Sequence, residues 1–153
     1  MVQGFDPTEI LDRPLMANLA TVAADGAPCN APVWFLWEDG VLWMLGSESG
    51  SSVLRLLAEP RCAVEVVDFD AGAGILLHCG LRGRASIEAN DPALFRRLLG
   101  KYLGPQDGWN PWFIQNIARI ESPTGRMIRL KPDSVFTNNV SYFRRGPDLA
   151  WPG

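Results

Sequence analysis

The stretch APVWFLWEDGVLWMLGSESGSS, residues 31–52, decides how this chain folds. Two apolar runs, 33–37 and 41–45, flank Asp39-Gly40. Asp-Gly between apolar runs is a two-residue hairpin signal, because both turn positions favour a positive φ. Counting outward from the turn pairs Trp37 with Leu42, Leu36 with Trp43, Phe35 with Met44 and Trp34 with Leu45. One face then carries Val33, Phe35, Trp37, Leu42 and Met44; the other carries Trp34, Leu36, Trp43 and Leu45. Both faces are apolar, whereas a strand with one wet face alternates. A barrel interior covers only one of them. Aromatic side chains bury about 150–250 Å² each, so the outer face needs a second cover. The candidates are helices of the same chain, a flat ligand or a second copy, and the expectation is a homodimer with a pocket at the edge of this face.

Working outward, LMANLATV (15–22) runs through a second Asp-Gly turn at Asp25-Gly26 into PCNAPVWFLW (28–37), so the first three strands form a meander. SGSSVLRLLAEP (49–60) reads as a short helix with serine caps at its start and Pro60 at its end. RCAVEVVDF (61–69) is a fourth strand, and the glycine-rich turn 71–74 leads into a fifth, ILLHCGLRGRASIE (75–88). In that fifth strand Ile75, Leu77, Cys79, Leu81, Ala85 and Ile87 share one face, and Leu76, His78, Arg82, Arg84, Ser86 and Glu88 lie on the other, which is mostly polar. Asn90-Asp91-Pro92 opens a helix with the apolar stripe Leu94, Phe95, Leu98, Leu99 and Tyr102. Residues 104–119 are aromatic and broken by proline, a loop followed by a short helix, and GRMIRLKPDSVF (125–136) is a closing strand. Residues 1–14 form an N-terminal arm and 137–153 an irregular tail carrying Tyr142, Phe143 and Trp151. The sum is one domain over 1–153: mainly β, a six-stranded antiparallel barrel with short peripheral helices. A parallel α/β fold would need many more crossover helices.

With 153 residues, 47% of them hydrophobic and 20% charged, the chain has the composition of a folded domain. A net charge of -3 argues against a nucleic-acid partner. No apolar run reaches the length of a membrane-spanning helix, and MVQGFDPTEI lacks the features of a signal peptide. Cys29, Cys62 and Cys79 sit in apolar runs without a CxxC pair, so free thiols and a cytoplasmic location are expected. A single histidine and scattered cysteines give no metal site. That histidine, His78, has no GxSxG serine to serve; beside Arg82 on a wet strand face it reads as a hydrogen-bonded surface residue. The glycines of GAGILLHCG precede a strand rather than bridging strand to helix, so they make no dinucleotide fingerprint.

The end of the hairpin carries the chemical clue. Ser47-Glu48-Ser49-Gly50-Ser51-Ser52 leads directly into a helix. A helix N-terminus presents unpaired N–H groups and partial positive charge, serine hydroxyls add donors, and glycine permits close approach. Arg55, one turn inside, adds a permanent charge. The pattern is that of a phosphate cradle beside an aromatic wall.

In their order, LMANLATV, the Asp25-Gly26 turn, APVWFLWEDG and LLAEPRCAVEVVD resemble the pyridoxamine-5′-phosphate-oxidase-like flavoproteins with the FMN-binding split barrel. The similarity is best over 15–69 and only architectural beyond residue 70. It implies a homodimer with two FMN sites at the subunit interface. The flavin ring would lie along Pro32, Val33, Trp34 and Phe35 and along Leu45, Gly46 and Ser47. The phosphate would sit near Ser51, Ser52 and Arg55, and the partner's Trp109 or Trp112 would close over the ring. Where many relatives place a lysine this chain has Ser52, so the charge falls to Arg55, or to the more remote Arg82 or Arg84. A deazaflavin or haem is the alternative cofactor. RMIRLKPDSVF is only loosely similar to the substrate-binding end of a true pyridoxamine-phosphate oxidase, so the namesake reaction is not expected. What the resemblance implies is an FMN-dependent oxidoreductase acting on a small molecule, with a non-catalytic carrier or sensor as the alternative. Because a flavin performs the electron transfer itself, no catalytic residue is named.

Overall fold

In a computed structural model describing residues 4–142, the Asp39-Gly40 turn closes with both residues at positive φ, 51° and 74°, as a two-residue hairpin turn requires. Phe35 lies opposite Met44, Leu36 opposite Trp43 and Trp37 opposite Leu42. Around this hairpin the chain runs α1 (Thr8–Leu11), β1 (Ala17–Val22), β2 (Pro28–Val33), β3 (Phe35–Glu38), β4 (Val41–Ser47), α2 (Ser51–Ala58), β5 (Arg61–Asp70), β6 (Ile75–Ala89), α3 (Pro92–Leu103), α4 (Pro111–Gln115), β7 (Gly125–Leu130) and β8 (Ser134–Asn139). Short 3-10 turns occupy Gln106–Gly108 and Ile117–Glu121. No helix among the described residues is long and apolar enough to cross a membrane.

All six expected strands are present, but two are broken, giving eight. The first break is at Trp34: β2 pairs with β1, and β3 pairs with β4, so the chain changes neighbours there. The expected Trp34–Leu45 pair therefore does not form. Side chains of α3 fix the switch. The Phe35 N–H donates to Tyr102 Oη at 3.0 Å, and Lys101 Nζ donates to the Phe35 carbonyl at 3.2 Å. The second break is at Lys131-Pro132-Asp133, because proline has no N–H to give the ladder. The Asp133 N–H re-engages the Arg82 carbonyl at 2.8 Å. Gly83 makes room, since a Cβ there would lie 3.2 Å from the Asp133 nitrogen. The expectation of an irregular tail from residue 137 is corrected: Thr137, Asn138 and Asn139 pair with Cys79, His78 and Leu77. Phe143 and Trp151 lie outside the described residues.

The strand order is β2-β1-β5-β6-β7-β4-β3, with β8 also beside β6. The long β6 serves both halves, pairing with β5 and β8 early and with β7 late. The hydrogen-bonded ladder ends in two edges, β2 and β3, joined through Trp34, so the barrel is split rather than closed. Its interior takes the predicted inner face of the hairpin, with Phe35, Leu42 and Met44 fully buried against Leu19, Val66, Leu81 and Leu130. The N-terminal arm contributes Ile10 and Leu11 to the same core.

The hairpin's outer face is covered partly by the chain itself. Trp34 stacks on Tyr102, with ring centroids 4.5 Å apart and planes 7° apart, and on Phe113 at 6.0 Å. Trp34 and Phe113 pack against Leu99, Trp109 and Ile120 in a second core. At the Trp34 end, then, the cover is another segment of the same chain, one of the candidates for this face. Leu36, Trp43 and Leu45 stay half-buried.

Candidate functional site

Beside the hairpin lies a cleft of about 570 Å³ where the end of β4, the start of α2 and the start of β7 converge. Leu45, Gly46 and Ser47 line it from β4, Gly50, Ser51, Ser52 and Val53 from α2, and Gly125 and Ile128 from β7. Val33, Phe95, Arg119, Ser122 and Thr124 complete the wall. Two ties hold these pieces together: the Glu48 N–H donates to the Thr124 carbonyl at 2.9 Å, and Arg126 pairs with Glu48 at 3.0 Å. Asn90 supports the far wall, donating from Nδ2 to the carbonyls of Ile120 at 2.8 Å and Ser122 at 3.1 Å. Gly46 is demanded by the helix behind it, since a Cβ there would lie 2.6 Å from Val53 Cγ2.

The expected serine cap of α2 is absent. Gly50 occupies the cap position, and no side chain bonds the helix N-terminus. The reason is local: the Gly50 N–H turns back to the Ser47 carbonyl at 2.9 Å, which puts the cap at Gly50 and the first helical residue at Ser51. Ser51 and Ser52 consequently stand inside the first turn, with their hydroxyls not used as caps. By contrast, α3 is capped as expected, with Asp91 Oδ1 accepting from the Leu94 N–H at 3.1 Å. The cleft thus gathers the uncapped N–H groups of α2, five hydroxyl residues and one cation, Arg119. It is a donor set suited to an anionic group.

Beyond Met44 the edge of β4 is open. β3 ends opposite Met44, whereas β7 continues alongside as far as Ser47. Leu45, Gly46 and Ser47 therefore have a ladder neighbour on one side only.

Of the residues expected at a cofactor site, Val33, Leu45, Gly46, Ser47, Ser51 and Ser52 line the cleft. Pro32 does not, lying exposed on β2. Phe35 does not line it either: its side chain is fully buried, and both its backbone groups are engaged by Tyr102 and Lys101. Nor does Arg55. Its Nε donates to the buried Thr21 Oγ1 at 2.8 Å, and it meets the site only through Ser52 Oγ at 3.5 Å. Arg82 and Arg84 do not line the cleft either; Arg82 lies over the Phe136 ring at 5.3 Å. Trp109 is turned into the second core, its indole N–H donating to the Gly104 carbonyl at 2.8 Å, whereas Trp112 is exposed.

Gly50, named with the serines in the cradle, lines it as well, and Val53, Phe95, Arg119, Ser122, Thr124, Gly125 and Ile128 complete it without having been singled out as site residues. Only the Ser122-Pro123-Thr124-Gly125 turn carried a signal, a hydroxyl- and glycine-rich turn opening a strand, much as at 47–52.

A smaller hollow of about 210 Å³ adjoins the cleft, sharing Leu45, Phe95 and Arg119 with it. Its other walls are mostly aromatic and aliphatic, among them Trp34, Trp112, Phe113 and Ile117. Arg119 sits 5.6 Å from the centroid of the Trp112 ring.

The perturbed titratable groups lie elsewhere. Burial pushes the Cys62 and Cys79 thiols up to about 11, and pushes Lys101 down to about 8 against the pull of Asp12. His78 meets Glu65 at 3.1 Å on the outer face of β5 and β6, with the Phe136 ring edge-on at 5.4 Å. No group of metal-ligating side chains occurs among the described residues.

Residues 8–139 match the family model of pyridoxamine 5′-phosphate oxidase. Among solved structures, the chain is similar to an F420 reductase at 26% identity, with a TM-score of 0.65 and coverage of 84% of this chain and 94% of that one. It shares its fold with an FAD-binding protein from Mesorhizobium loti, at 21% identity, TM-score 0.65 and coverage of 92% and 99%. A flavocytochrome from Azotobacter vinelandii has the same fold at 20% identity, TM-score 0.66 and coverage of 95% and 72%. No curated protein matches. The family match takes in every strand of the split barrel and both main walls of the cleft, and on that ground the chain belongs to the pyridoxamine 5′-phosphate oxidase-like, FMN-binding split-barrel family.

Proposed function

We propose that the cleft binds FMN and that the protein is a flavin-dependent oxidoreductase acting on a small molecule. One observation carries the reading: the uncapped N-terminus of α2, with Ser51 and Ser52 in its first turn, opens into a cleft whose other wall is an unpaired strand edge backed by apolar residues. The residues fit the group. The α2 N–H groups and the Ser51 and Ser52 hydroxyls would hold the phosphate. Main-chain groups of Leu45, Gly46 and Ser47 would meet the polar edge of the ring, and Val33, Leu45 and Ile128 would exclude water from its apolar part. Bound there, the flavin supplies the electron transfer. The protein binds and orients, and Arg119 is the only charged side chain among the lining residues.

A deazaflavin is the second reading, favoured by two observations. The similarity to an F420 reductase is one; Ser52 in place of a lysine is the other. Haem fits less well, since no histidine, cysteine or methionine lines the cleft to ligate its iron. A homodimer belongs to the proposal. It is supported by Leu57 and Leu54, 63% and 53% exposed on α2, which a second copy would cover. Light scattering that finds only single chains would remove that part.

The test is flavin-free protein equilibrated separately with FMN, riboflavin and F420. FMN binding at least tenfold tighter than riboflavin, a difference of about 1.4 kcal/mol, is expected of a phosphate cradle. Equal affinities would exclude it, and a preference for F420 would establish the second reading. Bound cofactor without turnover on reduced nicotinamide and candidate acceptors would mark a carrier instead.

A further inference from the structure

We propose that the small aromatic hollow beside the cleft is a second ligand site, taking a small planar carboxylic acid whose carboxylate pairs with Arg119. Its volume, about 210 Å³, is below the range of sites that hold drug-sized ligands and suits a compound of one ring. Its walls match such a compound. Trp34 and Phe113 are stacked, and Trp112 stands edge-on to Phe113 at 5.1 Å with an interplanar angle of 86°. Because Trp34 is stacked between Tyr102 and Phe113, a flat apolar body entering here meets ring edges and aliphatic side chains, with Asn116 and Arg119 as the polar lining residues.

The charge comes from Arg119. Among the described residues no carboxylate lies within salt-bridge distance of it; five other arginines have acidic partners, and Arg55, Arg82, Arg84 and Arg129 share its lack of one but do not line the hollow. The nearest acid in sequence, Glu121, is engaged by Arg96 at 3.4 Å. The Arg119 guanidinium lies over the Trp112 ring, 5.6 Å from its centroid, and a guanidinium can take a carboxylate in bidentate fashion. An unpaired guanidinium at the mouth of an aromatic hollow selects a planar acid over its neutral analogue.

The hollow shares three walls with the cleft, so a bound acid would lie next to the cofactor. Its identification as the oxidoreductase's substrate class rests on the flavin reading above; the binding itself does not. The experiment titrates nitrogen-labelled protein with benzoate and with benzamide, following the indole N–H resonances of Trp34 and Trp112, with flavin absorbance recorded on the same samples. Saturable shifts with benzoate, roughly tenfold tighter than benzamide, are expected. Arg119→Gln should abolish that preference while leaving benzamide affinity unchanged, and Arg119→Lys should restore part of it. Absence of a saturable benzoate response, equal affinities, or a preference that survives in Arg119→Gln would overturn the proposal. If Arg119→Gln instead releases flavin and the benzoate preference persists, the arginine belongs to the cofactor and only this proposal falls. If benzoate binds as described to protein that never takes up flavin, the site stands and the flavin reading fails.

Discussion

Gly46→Ala tests how the cleft is built. The new methyl would start 2.6 Å from Val53 Cγ2, while its distances to Ile128 Cγ1 and Cδ1, 3.5 Å each, are ordinary. Comfortable carbon contacts need about 3.5–4.0 Å, so roughly 1 Å must open between β4 and α2. Val53 cannot give way alone. It is β-branched, hence stiff at χ1 in a helix, and only 1% exposed. The helix must therefore move, at the usual overpacking cost of about 1–3 kcal/mol. In a chain of this length that lowers the melting temperature by about 2–4 °C per kcal/mol. Ser51 and Ser52 would move with α2, so FMN affinity should fall as well. The decisive comparison is a double-mutant cycle by urea denaturation. Val53→Ala alone removes buried methyls, at about 2 kcal/mol, but in Gly46→Ala it also removes the clash. The double variant should be at least about 1 kcal/mol more stable than the sum of the single losses predicts. Additive losses would show that Gly46 and Val53 do not collide, and the account of why glycine stands in this strand would be wrong.

Two further outcomes follow from the geometry. Burial lowers Lys101 to about 8 in the folded protein, against about 10.4 in an unfolded chain; between these values the unfolded chain holds a proton that the folded one releases, so this group makes stability rise with pH in that window and contributes no slope below it. The urea midpoint of Lys101→Met should lack that rise, and parallel curves for the two proteins would refute the assignment. Ser52→Asp should act in opposite directions on fold and function: a carboxylate in the first turn of α2 adds about 0.3–1 kcal/mol of stability, while repelling a phosphate enough to weaken FMN at least tenfold. A melting temperature that rises with no loss of FMN would place the phosphate elsewhere.

The hairpin register was legible because everything that sets it is local. Asp39-Gly40 fixes the turn, and alternation then sorts Phe35, Leu42 and Met44 inward. The breaks were not legible in the same way. Trp34 is as apolar as its neighbours, and nothing in its chemistry records that the chain changes partner there. The cause is Tyr102, whose hydroxyl takes the Phe35 N–H from 67 residues away. The same bond explains why Phe35 was placed at the cofactor: its inward face was read correctly, but the occupation of its backbone depends on a distant helix. Pro132 breaks a ladder by its chemistry, yet 125–136 reads as one strand straight through it. That the chain resumes as β8 was not legible either, because Thr137, Asn138 and Asn139 carry no apolar alternation.

The candidate site divides along the same line. Its sequence-contiguous half, from Leu45 through Ser52, was readable because strand end, glycine and serines follow one another in the chain. Its other half is assembled by β7 pairing with β4, which brings Gly125 opposite Ser47 and carries Ser122, Thr124 and Arg119 to the cleft. Arginine was expected at the site for a sound reason, since a serine stands where a charge was missing, yet proximity in sequence chose Arg55. That side chain is committed to Thr21, a nearly fully buried hydroxyl, and a buried acceptor holds its donor more firmly than a solvated one. Among the described residues neither Arg55 nor Arg119 has a carboxylate partner; they differ in place, Arg55 being tied to Thr21 away from the cleft and Arg119 lining it. The charge at this cleft is therefore set by which arginine the tertiary structure carries to it, which no run of residues around the serines could have announced.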